Sequence, residues 1–475
     1  MNFASYDFWK ILFLCFIGSR IILAVGRTQG PSAERILIKL CLIGTGLILL
    51  SVESWLTLGV FLWVVSLGWL AILILDARCG KGARQPLWAN AALGLVVCGQ
   101  LFPLVYYKYW VFIFDELLGM NAKAPSILIP MGLSFYTFQT IGFWIDYMRR
   151  PIQRPSFLDY LNFAGFFPQV VAGPIEKQES LLPQIKDCKF RIQRSELNSA
   201  LQWIILGFAY KLVIADNLGI LNEKLHFSAG NPWHVWFECF TFGLRIYFDF
   251  AGYSFIAVGL GKIFGIQLTL NFLSPYWSTN MRDFWRRWHV TLGAWLRDYV
   301  YLPLGGRRVS WWVVNILAVF IVSGIWHGAG WGFIIWGVLQ GVGVVLSSFI
   351  RLPEKFRLAG WPMTFAYVTF SWLFFFERDE ETMWKKAQSI IDLSSYSNKQ
   401  NLQELTAIFP DVSTLVTIGL IVIFAIGALF IEGWGCLKGY KPYLLMRKSW
   451  VSLILIVLIV LLAPMDEAQF IYFNF

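Results

Sequence analysis

The feature that most constrains this chain is a succession of apolar runs, most of them about 17–25 residues long, the length that carries a helix across a bilayer core ~30 Å thick. They lie near 8–25, 36–50, 55–75, 88–114, 126–147, 200–220, 236–260, 311–326, 331–350, 361–376, 413–432 and 449–463. The second run is short, and the fifth contains Pro130 and several polar residues, so ten to twelve spans are expected. Only 14% of the 475 residues are charged and 57% are hydrophobic, whereas a soluble domain carries about a quarter charged residues. This balance excludes a soluble globular enzyme, a disordered chain and a disulfide scaffold. It predicts an all-α polytopic membrane protein. The opening MNFASYDFWK has no basic region ahead of its apolar run, so the first run is expected to stay as an anchor.

Charge supplies the orientation. Lys and Arg exceed Asp and Glu by 10. With the N-terminus outside, the inside segments are 26–35, 76–87, 148–199, 261–310, 351–360 and 433–448. These hold 27 of the 39 Lys and Arg, against 6 in the outside segments 115–125, 221–235 and 377–412. Basic loops mark the cytoplasmic face and an anionic leaflet. No zinc-finger, RNA-binding or basic-helix pattern supports a nucleic-acid partner, and the lipid bilayer is the expected one. The seven cysteines (15, 41, 79, 98, 188, 239, 436) are scattered. They suggest neither a disulfide framework nor a metal site.

Two inside segments are too apolar to be solvated loops: FLDYLNFAGFFPQVVAGPI at 157–175, and 272–304, where aromatics alternate with arginines. They suit helices lying in the interface or re-entering the membrane. Non-helical backbone at that depth survives only inside protein or beside a water-filled cavity, so a cavity is expected. No internal repeat is visible, which withholds support from an inverted-repeat transporter. There is no Walker A loop and no G-x-S-x-G elbow, and Gly259, Gly261 and Gly265 lack the strand context of a dinucleotide site.

Ionisable residues within membrane spans are functional candidates because they are costly there. Lys10, Arg20, Lys39, Lys108, Lys211 and Arg245 fall inside the runs. Lys10 and Lys39 lie near run ends and can snorkel. Arg245 and Asp249 are one helical turn apart and can pair, and Lys211 with Asp216 is a similar device. Of the four histidines, His226 and His234 fall in an outside loop and read as solvated or interfacial. His289, in FWRRWHVTLGAWLRDY, and His327, in SGIWHGAGWG, sit among tryptophan and glycine. An imidazole there can take a hydroxyl proton, or it can be a packed, hydrogen-bonded side chain. Gly324, Gly328, Gly332, Gly337 and Gly341 are spaced for close helix packing. Arg282, Arg286, Arg287, Arg297, Arg307 and Arg308 could hold phosphates or simply express the inside bias.

Several stretches, in order, resemble the membrane-bound O-acyltransferase family of the alginate O-acetyltransferase type. They are FASYDFW (3–9), IPMGLSFYTFQTIGFWIDYMRR (129–150), GFFPQVVAGPIEK (165–177), GFAYKLVIADNL (207–218) and IYFDFAGYSFIAVGLGKIFG (246–265). The densest are NFLSPYWSTNMRDFWRRWHVTLGAWLRDYVYLPLGG (271–306) and SGIWHGAGWGFIIWG (323–337), and FIYFNF (470–475) closes the series. The resemblance implies one membrane-embedded domain over 1–475, with its strongest core at 129–341. The fold would be a ring of about 10–12 transmembrane helices with re-entrant segments around a funnel. It makes His327 and His289 the catalytic candidates. It implies acetyl-CoA or another acyl thioester as cytoplasmic donor, with no bound cofactor and no metal, and a bacterial cytoplasmic (inner) membrane setting. The acceptor would be an extracytoplasmic polysaccharide, reached directly or through a partner acyltransferase. On this reading Trp285, Trp288 and Trp326 shape the walls, and Arg282, Arg286 and Arg287 meet donor phosphates. Two positions depart from the family pattern. Gln340 stands where many relatives carry a further histidine, and Phe255 stands where a polar residue is common. The competing readings are a transporter or conduit without acyl chemistry, and a membrane anchor for a soluble acetyltransferase.

Overall fold

The computed structural model describes residues 3–79, 87–120, 129–149, 154–350, 353, 358–464 and 470–471. Among the described residues the regular structure is helical throughout, with no strand. The chain divides into two compact units, Met1–Ile204 with Ile256–Thr269, and Ile205–Phe255 with Leu270–Phe475.

The first unit contains α1 (Tyr6–Gly26), α2 (Pro31–Glu53), α3 (Trp55–Cys79), α4 (Leu87–Leu104), α5 (Leu133–Arg149), α6 (Phe157–Ala164), α7 (Gln178–Asp187) and most of α8 (Leu197–Phe208). Its interior is tied by polar side chains that would be costly in hydrocarbon alone. Gln100 Nε2 donates to Val64 O at 3.0 Å, and Gln100 Oε1 accepts from Trp144 Nε1 at 3.1 Å. Lys39, expected to snorkel, instead pairs with Asp159 of α6 at 2.5 Å. A short amphipathic helix brings the carboxylate within reach, and α6 is one. The stretch 165–176 has no long helix, yet nearly every residue in it is buried. Glu176 there accepts the Thr269 backbone N–H at 2.5 Å. Enclosure by protein is one of the two settings in which irregular backbone is tolerated at membrane depth, the other being the water-filled cavity expected from the sequence.

The second unit carries α9 (Asn217–Asn222), much of α10 (Pro232–Ile263), α11 (Met281–Arg287), α12 (Val290–Leu296), α13 (Trp312–His327) and α14 (Trp331–Phe349). It continues with α15 (Gly360–Ser371), α16 (Leu373–Phe376), α17 (Glu380–Ile391), α18 (Leu393–Tyr396), α19 (Lys399–Gln403), α20 (Val412–Leu437) and α21 (Ser449–Leu462). The glycine spacing in α13 and α14 serves close packing. A Cβ at Gly324 would strike the Phe333 carbonyl, and one at Gly337 would strike the Phe320 carbonyl. The two helices therefore approach backbone to backbone.

Every expected span contains a helix; in the fifth, 126–128 lie outside the described residues, 129–132 are loop and turn, and the helix begins at Leu133. Seven helices are long and apolar enough to cross a membrane by length and composition: Tyr6–Gly26, Pro31–Glu53, Trp55–Ala77, Asn90–Tyr109, Leu197–Asn222, Trp331–Phe349 and Val412–Leu437. The other five expected spans fall short for visible reasons, α5 because its helix has only 17 residues. α13 and α21 have 16 and 14 residues. α10 carries Glu238, Arg245, Asp249 and Lys262, and the run 361–376 is divided at Trp372 between α15 and α16.

Charge pairing in the second unit differs from the sequence expectation at one point. Lys211 meets Asp216 at 2.5 Å, as expected, and it also meets Asp249 at 2.9 Å. Asp249 therefore pairs with Lys211 rather than with Arg245, and its other oxygen accepts the Ile471 N–H at 2.7 Å. Residues 209–216 form a π-helical stretch, which alters the facing of side chains relative to an α-helix and could not be read from spacing.

Candidate active site

α11 begins at Asn280, whose side chain accepts the Asp283 N–H at 2.9 Å. It ends after two turns, and His289 then takes a left-handed backbone, φ 42° and ψ 55°. For a side chain larger than glycine this conformation costs about 1–2 kcal/mol, so the surroundings must hold it. Residues 271–273 run alongside and do so. Leu273 N–H donates to Arg287 O at 2.9 Å and Val290 N–H to Asn271 O at 2.9 Å. The Asn271 side chain accepts from the Thr291 hydroxyl at 2.6 Å. The bend turns the imidazole inward, where only 1% of the residue is exposed.

His327 is the last residue of α13 and is 3% exposed. Its ring meets Trp326, Trp336 and Phe375 at centroid distances of 4.8, 5.1 and 5.2 Å. The His289 ring meets Phe250 at 4.7 Å and Trp326 at 5.9 Å. Trp326 thus stands against both imidazoles. Simple hydropathy counting puts His289 in an inside segment and His327 near an outer span end, an apparent conflict. The broken helices of 272–304 remove it, because two seven-residue helices joined at a sharp bend each extend only about 10 Å. Neither is long enough to cross a bilayer core by itself.

The three predicted wall tryptophans enter one aromatic cluster. Trp288 stacks on Phe284 at 5.5 Å and contacts Trp372 at 5.2 Å. Trp285 meets Trp336 at 5.9 Å, and Trp336 stacks on Trp372 at 6.0 Å. Trp336, Trp372 and Phe375 were not singled out from sequence. Aromatics are so common in this chain that these carry no distinguishing signal. Gln340 is better placed than its departure from the family pattern suggested. Its Oε1 accepts from Trp285 Nε1 at 3.2 Å, and its Nε2 donates to Ser371 Oγ at 2.7 Å. Phe255 packs edge-on against Tyr443 at 4.6 Å.

The arginines do not act as one group of six. Arg286 is exposed and Arg282 half-buried on α11, while Arg287 pairs with Asp283 at 3.1 Å. Arg297 is engaged by Asp298 at 2.7 Å, and Arg307 lies over Trp312 at 5.4 Å. His234, expected to be solvated or interfacial, is buried instead. Its Nδ1 accepts the Ser228 N–H at 3.2 Å and its Nε2 lies 2.7 Å from Glu404 O, so it joins the segments 221–235 and 377–412. His226 is exposed, as expected.

A buried carboxylate escaped the sequence reading. Glu432, on the last turns of α20, accepts from the Tyr210 hydroxyl and from the Tyr247 hydroxyl at 2.8 Å. Tyr443 lies 3.2 Å from Tyr247 OH, and its own oxygen accepts the Ser274 N–H at 2.9 Å. Tyr247 in turn contacts Phe272 and Trp288 at 5.8 and 6.1 Å. The signal was present, an acid inside an apolar run, but it sat at the run's last position. Among the described residues no group of His, Cys, Asp and Glu is arranged to hold a metal.

The profile described as MBOAT, membrane-bound O-acyltransferase family, matches residues 148–376, which include both histidines. A peptidoglycan O-acetyltransferase of Helicobacter pylori is 31% identical over 443 residues, 83% of each chain. The chain belongs to the membrane-bound O-acyltransferase family. This acyltransferase is also 32% identical to a probable alginate O-acetylase of Pseudomonas aeruginosa, over 70% of its own length and 66% of that protein's. A teichoic acid D-alanyltransferase of Bacillus subtilis is 28% identical over 56% of this chain and 71% of its own. The protein is therefore an integral membrane enzyme that transfers acyl groups to oxygen.

Proposed function

We propose that the acyltransferase moves an acetyl group from a cytoplasmic thioester, acetyl-CoA in the simplest case, to a hydroxyl of an extracytoplasmic polysaccharide. Transfer is direct or passes through a partner acyltransferase, and the setting is the bacterial cytoplasmic membrane. The observation that carries the reading is the shared wall of the two buried imidazoles at Trp326. The higher identity to relatives named for O-acetylation than to the D-alanyltransferase supports acetyl as the group moved.

In this mechanism His327 takes the proton of the acceptor hydroxyl as its oxygen attacks the thioester carbonyl. His289 polarises the reacting groups. The carbon–sulfur bond breaks, the thiolate leaves, and the proton held on His327 returns to it, so an ester and a free thiol result. Trp285, Trp288 and Trp326 exclude water, which would otherwise hydrolyse the thioester. Arg282, Arg286 and Arg287 receive donor phosphates at the cytoplasmic mouth, and the exposure of Arg286 suits that role best.

Proton transfer by a positioned histidine contributes about 10²–10⁴-fold in rate. The purified enzyme in detergent is therefore expected to release CoA from acetyl-CoA, and His327→Ala to lose this by that factor while remaining in the membrane at normal level. Equal release from both forms would remove His327 from the chemistry and favour a conduit. If both forms are silent, the same pair is assayed with a polysaccharide acceptor and an acetylated carrier protein, and continued silence from wild type overturns the donor assignment.

A further inference from the structure

The end of α20 and the start of α21 are joined by residues 438–448, and together they enclose a cavity of about 370 Å³ that opens outward. Its walls include Ile431, Trp434, Leu445, Met446, Trp450 and Val451, and Lys448 also lines it. Lys438 lies over the Trp434 ring at 5.0 Å, and Lys441 and Lys448 are exposed. From Gly433 to Pro464 the sequence has four cations, Lys438, Lys441, Arg447 and Lys448, and no acid. The acid just before this stretch, Glu432, is turned away into its tyrosine cluster and is 3% exposed. The groove is thus apolar along its length and uniformly positive at one end. The positive end belongs to a segment that the charge distribution puts inside.

We propose that this groove binds an anionic phospholipid of the cytoplasmic leaflet, with an acyl chain against the apolar walls and the phosphate between Lys438 and Lys448. Each part of the ligand is selected by a different feature. Apolar walls reward a hydrocarbon chain and give a soluble phosphate nothing. Uncompensated lysines beside a span attract an anionic headgroup over a zwitterionic one. Two half-exposed tryptophans, Trp434 and Trp450, suit the headgroup level. The groove also touches the interior indirectly. Ile431 and Met446 line it, while Glu432 beside the first and Tyr443 near the second hold the cluster behind it.

The test is native mass spectrometry of the protein purified in neutral detergent, with palmitoyl-oleoyl phosphatidylglycerol or phosphatidylcholine added at equal concentration. Wild type is expected to carry several-fold more phosphatidylglycerol than phosphatidylcholine. Lys438→Gln with Lys448→Gln should bring the ratio close to one, and Val451→Trp should reduce both adducts by filling the groove. Equal binding of the two lipids to wild type, a measurement that needs no variant to fold, overturns the proposal. Displacement of phosphatidylglycerol by millimolar inorganic phosphate overturns it in favour of a simple anion site. A dimer that Val451→Trp dissociates, without lipid adducts on wild type, overturns it in favour of a second copy of the chain.

Discussion

At the scale of single residues, the polar groups that fix the aromatic cluster matter as much as the two histidines inside it. Gln340 joins Trp285 to Ser371. Gln340→Leu removes both bonds and leaves the buried Ser371 hydroxyl without its Gln340 partner, a loss of about 1–3 kcal/mol. A lower melting temperature in detergent is expected, with Gln340→Glu falling between the two because it keeps the acceptor for Trp285. Glu432 offers a second case. Glu432→Ala leaves the Tyr210 and Tyr247 hydroxyls without their acceptor, whereas Glu432→Gln keeps one. Thermal unfolding should therefore rank wild type above Gln and Gln above Ala. A reversed order of Gln and Ala would mean that burial of the charge, not loss of the bonds, dominates. His289 and His327 stand out in the sequence as candidates because a histidine among glycine and tryptophan at a span end is an uncommon choice, and the structure buries both against Trp326. Gln340 and Glu432 were less so, since their value lies in partners 31 and 185 positions away. The Lys39–Asp159 and Lys211–Asp249 pairs were missed for the same reason: spacing along one helix says nothing about the neighbouring helix.

At the scale of elements, the α13–α14 pair is the most constrained packing in the second unit. Gly337→Ala pushes a methyl group into the Phe320 carbonyl, and overpacking of this kind costs about 1–3 kcal/mol. Gly18→Ala in α1 meets nothing within 4 Å and should leave the melting temperature unchanged or slightly raised. Helix existence was readable from apolar length alone, and the glycine spacing correctly announced a close helix contact. The left-handed bend at His289 and the π-helical stretch at 209–216 were not readable. The first is imposed by Asn271 and Thr291, and the second changes side-chain facing without altering hydropathy.

At the scale of the whole molecule, the bias of Lys and Arg makes an orientation testable without any enzymology. In a background lacking native cysteines, a membrane-impermeant maleimide applied to intact cells should label Ser397→Cys. It should label Ser310→Cys only after permeabilisation. Both positions are exposed, so access reports sidedness, and the opposite pattern would invert the assignment of donor and acceptor faces. The all-α membrane class was legible from composition because hydrocarbon tolerates few alternatives. The meeting of His289 and His327 at one tryptophan was not, because hydropathy treats a segment of short, broken helices as a loop. The bond from Ile471 to Asp249 carries a consequence in time. The two residues are 222 positions apart, and a ribosome adds about 5–20 residues per second. Asp249 therefore waits roughly ten to forty-five seconds for that donor after its own synthesis. Lys211, the carboxylate's other partner, precedes Asp249 in the chain and is synthesised before it, so one of the two partners is at hand throughout that interval.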